Sequence, residues 1–239
     1  MSVAVDARPD HETWRVQLLF AARGGQREEL AGRLLEEAPR LAKLGRVSVL
    51  VQLEGDLFPL ANPVCRPFEA VLEVQRAGLD DAAPILDGLE EVVPSLGELI
   101  HSDLSGVLVG WPQEIIPCDL TPVRYLYLMR RKAGTSRQRY LDYYFHRHSA
   151  FGFKTPAIDG YTQFHVDPEA SAAAAQRLGV GTHGADSVSE LHLPSLEGFM
   201  AAIGDGRLGA EALADELTFV DRDNSVSFCT ANRYLSDEP

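Results

Sequence analysis

The sequence lacks the positive charge and the long apolar segments that mark several large functional classes. Its 22 lysines and arginines are outnumbered by 35 aspartates and glutamates, which gives a formal net charge of −13. This charge repels phosphate backbones and anionic lipid head groups, so we expect neither nucleic acid nor a membrane as a partner. Residues 1–12 are polar and hold no signal-peptide core, which predicts a flexible N-terminal tail.

Cysteine pairs and nucleotide-binding glycine motifs are also missing. Cys65, Cys118 and Cys229 are far apart and have no CxxC spacing, which argues against a structural zinc site or a disulfide framework. The glycines at 24–25 and 204–206 have the pattern of turns, not of a GxGxxG motif or a P-loop. The sequence therefore predicts no metal, no cofactor and a reducing, cytoplasmic location.

Residues that can carry chemistry are concentrated in one strand-helix-strand segment, residues 125–166. In its first strand, Tyr125, Tyr127 and Met129 alternate with leucines, so both faces are mostly apolar. A strand with two apolar faces is covered on both sides. We therefore expect this strand to lie in the middle of a sheet.

The helix of this segment carries a pair of histidines. Thr135 or Ser136 is the expected N-cap, and Tyr144 and His148 recur at helical spacing on the inner face. Residues two apart on a helix point about 200° apart, so His146 is expected to face outward. His148 is thus predicted to lie inward beside Tyr144.

Residues 139–150, RYLDYYFHRHSA, resemble the signature of the EthD family, whose helix carries an aromatic residue four positions before a histidine. Tyr144 occupies the aromatic position, where the family commonly has tryptophan, and His148 occupies the histidine position. Residues 186–197, DSVSELHLPSLE, are similar to the family's third strand, with Glu190 at its acidic position. The resemblance covers about the last half of the chain.

The apolar periodicity indicates the same order of elements twice. The first half has strands at 14–23, 46–54, 68–76 and 104–111 and helices at 26–43 and 80–93. The second half has strands at 123–131, 160–166, 188–193 and 226–235 and helical regions at 137–151 and 196–217. The predicted fold class is α+β, with two tandem ferredoxin-like βαββαβ units at residues 13–116 and 123–239 joined by a linker at 117–122.

Each unit alone would leave one apolar sheet face bare. In the EthD family and related folds two chains cover these faces by forming a dimeric α+β barrel, so the resemblance implies the same barrel within one polypeptide. We expect a monomer with an internal pseudo-dimer, or a homodimer of it. The first-half helix has no tyrosine or histidine on its inner face, which indicates a degenerate repeat that serves as scaffold.

Strand alternation adds candidate substrate-binding residues to the catalytic candidates Tyr144 and His148. The predicted pocket positions are Tyr127, Met129, Tyr161, Gln163, His165, Glu190 and His192. For the last four of these, an alternative is that they face a wet seam between the sheets or the solvent. Residues 167–185 are long for a hairpin connection, and their glycines around His183 suggest a lid over the pocket.

An imidazole beside a phenol can transfer protons at neutral pH, and the surrounding aromatic residues suit a flat, apolar molecule. The resemblance implies cyclases, dehydratases, decarboxylases and small monooxygenases that act without an organic cofactor. We predict a cofactor-independent lyase, cyclase or dehydratase for a small hydrophobic, aromatic or polyketide-like molecule, with His148 as general acid/base and Tyr144 as orienting donor. The alternatives are a non-catalytic binding or accessory protein and a haem-binding or monooxygenase-type barrel.

Overall fold

The computed structural model describes residues 13–61, 65–118, 121–203 and 207–236. The predicted tail, part of the predicted linker and the turn at 204–206 lie outside these residues. The strands are β1 (Thr13–Phe20), β2 (Arg46–Gln52), β3 (Ala70–Ala77), β4 (Gly106–Ile116), β5 (Val123–Met129), β6 (Gly160–Val166), β7 (Gly181–Thr182), β8 (Ser187–Leu193) and β9 (Val226–Leu235). The helices are α1 (Arg27–Leu41), α2 (Ala83–Leu89), α3 (Val92–Leu96), α4 (Arg137–His146), α5 (Pro168–Leu178), α6 (Leu196–Ala202) and α7 (Arg207–Phe219).

Eight strands close into an antiparallel barrel, which confirms the expected α+β barrel. The strand order is β4-β1-β3-β2 in the first half and β9-β5-β8-β6 in the second. Two antiparallel seams, β2 with β9 and β4 with β6, join the halves. At the second seam a side chain in place of Gly110 would put its Cβ 2.0 Å from the His165 carbonyl oxygen, so glycine permits the close pairing. The short β7 adds to β4 in parallel.

The barrel interior is apolar over most of its length and polar at one end. Inward positions of the strands supply the apolar part, which includes Leu19, Leu50, Val71, Leu108, Leu126, Leu128, Phe164, Val188 and Phe228. Burial of a leucine or phenylalanine side chain contributes about 1.5–3 kcal/mol. The polar end contains Arg15, Gln17, Glu73, Arg124 and Glu190, all at most 6% exposed.

Helices cover the outer face of each half. On α1, Leu30, Leu34, Ala38 and Leu41 form one buried stripe against the first-half strands, as the helical spacing predicted. The predicted helix at 80–93 is divided into α2 and α3. The second-half outer face carries α4, α6 and α7.

Most of the segment at 167–185 is helix α5, which lies in the first-half layer. Asp167 caps α5 by accepting hydrogen bonds from the backbone N–H groups of Glu169 and Ala170, both at 3.0 Å. Ala174 and Leu178 then pack into the first-half core. The expected lid is therefore wrong, because this segment lies on the half of the barrel that holds no candidate catalytic residue.

Candidate functional site

Helix α4 and the turn that follows it present Tyr144 and His148 toward the sheet, as predicted. Ser136 caps the helix by accepting a hydrogen bond from the Arg139 N–H at 3.3 Å. The helix ends at His146, which is exposed, and His148 begins a 3-10 turn, His148–Lys154. Tyr144 is fully buried and His148 is 7% exposed. The opposite placement of the two histidines is thus confirmed.

His148 is paired with an aspartate that the sequence did not single out. Its Nδ1 lies 2.7 Å from Oδ2 of Asp215 on α7. The Tyr143 hydroxyl donates to the other carboxylate oxygen, Oδ1, at 2.5 Å. A carboxylate only accepts hydrogen bonds, so Nδ1 carries the proton and Nε2 is left as the acceptor of the neutral ring.

Burial and the partner carboxylate act on His148 in opposite directions. Burial lowers the pKa of His148, and the hydrogen bond and charge of Asp215 oppose this effect without cancelling it. The rings of Phe151 and Phe219 flank the imidazole at centroid distances of 5.2 and 5.1 Å. The ring is therefore neutral at pH 7 and is suited to accept a proton on Nε2.

A cavity of about 330 Å³ lies beside His148, between the outer face of the second-half sheet and helices α6 and α7. Phe58, Tyr125 and Phe199 form an aromatic wall, with ring centroids 4.9 to 6.5 Å apart. Gly152 in the 3-10 turn lets the turn approach the opposite wall, since a Cβ there would stand 2.3 Å from the Tyr161 ring. The cavity suits a flat, mostly apolar ligand.

Three of the predicted substrate-binding residues line this cavity with His148. These are Tyr127 and Met129 of β5 and Tyr161 of β6. Burial raises the pKa of the Tyr127 and Tyr161 phenols, so both remain protonated donors at neutral pH.

Three further candidates lie behind the cavity wall. Gln163 donates from Nε2 to the Tyr161 hydroxyl at 2.9 Å and to the Tyr144 carbonyl at 3.0 Å, and His165 lies 3.2 Å from its Oε1. The Tyr144 ring is tilted by 34° from the His148 ring at a centroid distance of 5.8 Å, and it does not line the cavity. Its buried hydroxyl makes no well-formed hydrogen bond within the described chain, although Tyr161 and Ser189 are close enough to affect its pKa.

The placement of Glu190 and His192 in the same pocket is wrong. Both lie on the lumen face of β8, while the alternate residues Ser189 and Leu191 line the cavity. Glu190 accepts hydrogen bonds from Arg15 at 2.8 and 2.9 Å, inside the barrel. Sequence alternation grouped these residues correctly but did not indicate which face of the strand meets the helices.

Asp215, Tyr143 and the aromatic wall were missed. Asp215 lies 67 positions after His148 and is followed by Glu216 on the same helix, and the sequence has no signal that selects one carboxylate over the other. In the residues that the structure describes, no three His, Cys, Asp or Glu side chains group closely enough to hold a metal ion. None of the described helices is both long and apolar enough to span a membrane.

Comparison with known families confirms the resemblance seen in the sequence: residues 132–223 match the model of the EthD domain. No curated protein matches the chain.

Several solved structures share the barrel. An anthrone oxidase-like protein has 13% identity and a TM-score of 0.63, with 95% of this chain and 94% of that chain covered. A putative monooxygenase from Fusobacterium nucleatum subsp. nucleatum has 4% identity and a TM-score of 0.58, covering 95% of each chain. A mutant chlorite dismutase from Candidatus Nitrospira defluvii has 10% identity and a TM-score of 0.53, covering 95% of this chain and 92% of that one. At these identities the likeness shows the fold alone.

Proposed function

Because residues 132–223 match the EthD domain, we propose that the protein is a cofactor-independent enzyme, a lyase, cyclase or dehydratase, acting by general acid–base chemistry. Its substrate is a small hydrophobic molecule of the aromatic or polyketide-like class. The observation that carries the proposal is the His148–Asp215 pair at 2.7 Å beside a cavity walled by aromatic rings. A base oriented by a carboxylate at an apolar pocket is the arrangement that proton abstraction needs.

In the proposed reaction His148 accepts the first proton. Its Nε2 takes a proton from a carbon next to a substrate carbonyl, and Asp215 stabilises the imidazolium that forms. The Tyr161 hydroxyl accepts from Gln163, which leaves the phenol proton available for the enolate oxygen. The imidazolium then returns its proton to a leaving hydroxyl group, which departs as water, so that the base is regenerated.

We also propose that the chain is a tandem fusion of two ferredoxin-like units, residues 13–116 and 123–239, with linker 117–122. The support is the matching register of the polar end. Arg15 lies opposite Gln75 on β1 and β3, as Arg124 lies opposite His192 on β5 and β8. Glu73 lies two residues before Gln75 on β3, and Glu190 lies two residues before His192 on β8, so the two glutamates are also equivalent. Such correspondence is expected if the chain derives from a symmetric dimer, whose interface repeats each contact.

The two arginines of this end each reach across to the other half. Arg15 Nη1 lies 2.8 Å from Glu190 Oε2, and Arg124 Nη1 lies 3.1 Å from Glu73 Oε2. Burial raises the pKa of Glu73, but Arg15 and Arg124 outweigh this and bring it to about 2. The reciprocal ion pairs are the contacts that two identical subunits would exchange. The fused barrel is a monomer in this proposal, and native mass spectrometry distinguishes it from a homodimer.

The first test measures proton abstraction without requiring the natural substrate. We expect the wild-type protein to accelerate deuterium exchange at C1 of 2-tetralone in D2O, followed by NMR. His148→Ala should lower the enzymatic rate by about 100-fold or more, and Asp215→Asn should also lower it. The matched control is His146→Ala, two positions away on the exposed face, which should retain the wild-type rate.

The pH dependence of the same exchange gives a second readout. His148 must be neutral to act, and its pKa is lowered, so the rate should rise with pH and reach half its maximum below the ordinary histidine value of about 6.5. A wild-type protein that binds 2-tetralone but shows no acceleration would exclude proton abstraction from this ketone and support a non-catalytic binding protein.

Haem binding is a second candidate, favoured by one observation. A histidine that donates Nδ1–H to a carboxylate and keeps Nε2 free is also the arrangement found in metal-ligating histidines. The rest of the site does not fit haem, because the 330 Å³ cavity is at the small end of ligand pockets and its Arg222 is paired with Glu216. A Soret band that forms on haem addition and is lost in His148→Ala would establish this alternative.

A further inference from the structure

A second cavity, of about 30 Å³, lies at the polar end of the barrel lumen, away from His148. Its wall includes Arg15, Arg46, Arg124, Thr162, His192 and Asn232. About 10–15 Å³ is enough for one water molecule, so this space holds two to three groups of that size, which matches the three non-hydrogen atoms of formate.

The guanidinium groups of the two equivalent arginines, Arg15 and Arg124, differ in their hydrogen-bond partners. Arg15 uses its Nε and Nη2 edge to bind Gln75 Oε1 at 3.0 and 2.7 Å, while its Nη1 binds Glu190. Arg124 binds Glu73 through Nη1, but its buried Nε has no hydrogen-bond partner in the described parts of the chain. The reason is visible in the register, since His192 stands opposite Arg124 where Gln75 stands opposite Arg15.

An unpartnered guanidinium nitrogen inside a protein is costly, and the guanidinium edge matches a planar oxyanion in a bidentate way. We propose that this cavity binds a small planar oxyanion of the carboxylate class, the size of formate, on the Nε edge of Arg124. An oxygen of the anion accepts hydrogen bonds from Arg124 as the side-chain Oε1 of Gln75 does from Arg15.

The charges around the cavity favour an anion. The carboxylates of Glu73 and Glu190 are already bound by Arg15 and Arg124, and Glu114 at the rim is exposed to solvent. Arg46 makes no ion pair with any residue that the structure describes. Burial, together with Arg124 and Arg15, lowers the pKa of His192 to about 3, with Arg46 adding to the effect and Glu73 opposing it. The electrostatic potential at His192, in the cavity wall, is therefore positive.

Sodium formate is the probe that tests this site. At constant ionic strength, formate should raise the melting temperature in a saturable manner, beyond the effect of sodium chloride, because it binds the folded state. Arg46→Met should weaken formate binding by about tenfold or more, through loss of a charged hydrogen-bond donor. Arg33→Met, at an exposed arginine paired with Glu36 on α1, is the matched control and should bind formate as the wild type does.

His192→Gln provides the second, more direct variant. This substitution puts a glutamine opposite Arg124, as Gln75 stands opposite Arg15. The glutamine should hydrogen-bond the Nε edge of Arg124 and abolish the formate effect without lowering the melting temperature. The proposal is overturned if formate stabilises the wild type no more than chloride does. It is equally overturned if Arg46→Met and His192→Gln respond to formate as the wild type does.

Discussion

The two halves of the barrel share one strand order and differ in the layer that covers it. On the first half the outer face is filled by aliphatic side chains such as Leu34 and Ala38, which are fully buried. On the second half the same layer contains the buried rings of Tyr140, Tyr144 and Phe219. Helices α6 and α7 of this layer also leave the 330 Å³ cavity against the sheet. The comparison indicates that the helix layer decides which half has a cavity on the outer face of its sheet.

The largest expected effect is on the contacts that join the halves. Glu190→Ala removes the shared partner of two buried arginines, and leaving such charges uncompensated typically costs about 3–5 kcal/mol in the free energy of unfolding. Urea denaturation measures this loss. Glu114→Ala, an exposed glutamate on β4, should change stability by no more than about 0.5 kcal/mol. A loss below about 1 kcal/mol for Glu190→Ala would mean that these ion pairs stabilise the protein no more than surface ion pairs do, which contradicts the prediction.

The difference in packing between the halves can be tested with one substitution made in each. Ala38→Leu adds volume to a filled core and should lower the free energy of unfolding by about 1–3 kcal/mol. Ala212→Leu adds the same volume at the cavity wall, so stability should change by no more than about 0.5 kcal/mol while 2-tetralone exchange is lost. Equal destabilisation by the two variants would show that the second half is not hollow in solution.

The Gln75 and His192 positions differ in their response to acid. The pKa of His192 is about 3 in the folded protein and about 6.5 when exposed, so between these values the unfolded chain binds more protons. The free energy of unfolding should therefore fall as the pH falls below 6.5, by at most about 1.4 kcal/mol per pH unit from this group. Chemical denaturation from pH 6.5 to 4.5 measures the slope.

His192→Gln should reduce this slope, because glutamine does not titrate. Glu73 contributes its own loss of stability only below about pH 4.5, since its lowered pKa makes the carboxylate form stabilising above that value. His146→Gln serves as the matched control at an exposed position. If His192→Gln kept the full wild-type slope, the neutral state of His192 in the folded protein would be contradicted.

The smallest expected effect concerns the first helix of each half. Ser136 caps α4 through its side chain, whereas Gln26 at the start of α1 makes no side-chain capping bond. Ser136→Ala should cost about 1 kcal/mol, and Gln26→Ala close to nothing. Thermal denaturation of the two variants checks the contrast, which fails if both lose the same stability.

The sequence was informative where a residue's role depends on its neighbours along the chain. The bounds of β6 and β9 agree with the periodicity at 160–166 and 226–235, and the inward position of His148 follows from helical spacing. The roles of Asp215 and Glu190 depend instead on distant packing. Alternation cannot tell which face of β8 meets the lumen, and no local rule brings α7 to the end of α4.

The predicted lid failed for a similar reason. The alanines of α5 could be recognised as helical, but small side chains suit close packing against any sheet. Ala174 and Ala175 use this property to join the core of the other half. Helix α5 follows β6 of the second half, and it reaches the outer face of the first half because β6 pairs with β4 in the closed barrel.

The two seams that close the barrel also give the chain a way to assemble wrongly. Each half offers the same kind of edge to the other, β2 to β9 and β4 to β6, and nothing in these pairings requires that both partners come from one molecule. Two chains that open between β4 and β5 can exchange halves and form two complete barrels with the same hydrogen bonds. Refolding at high concentration is therefore expected to yield domain-swapped dimers.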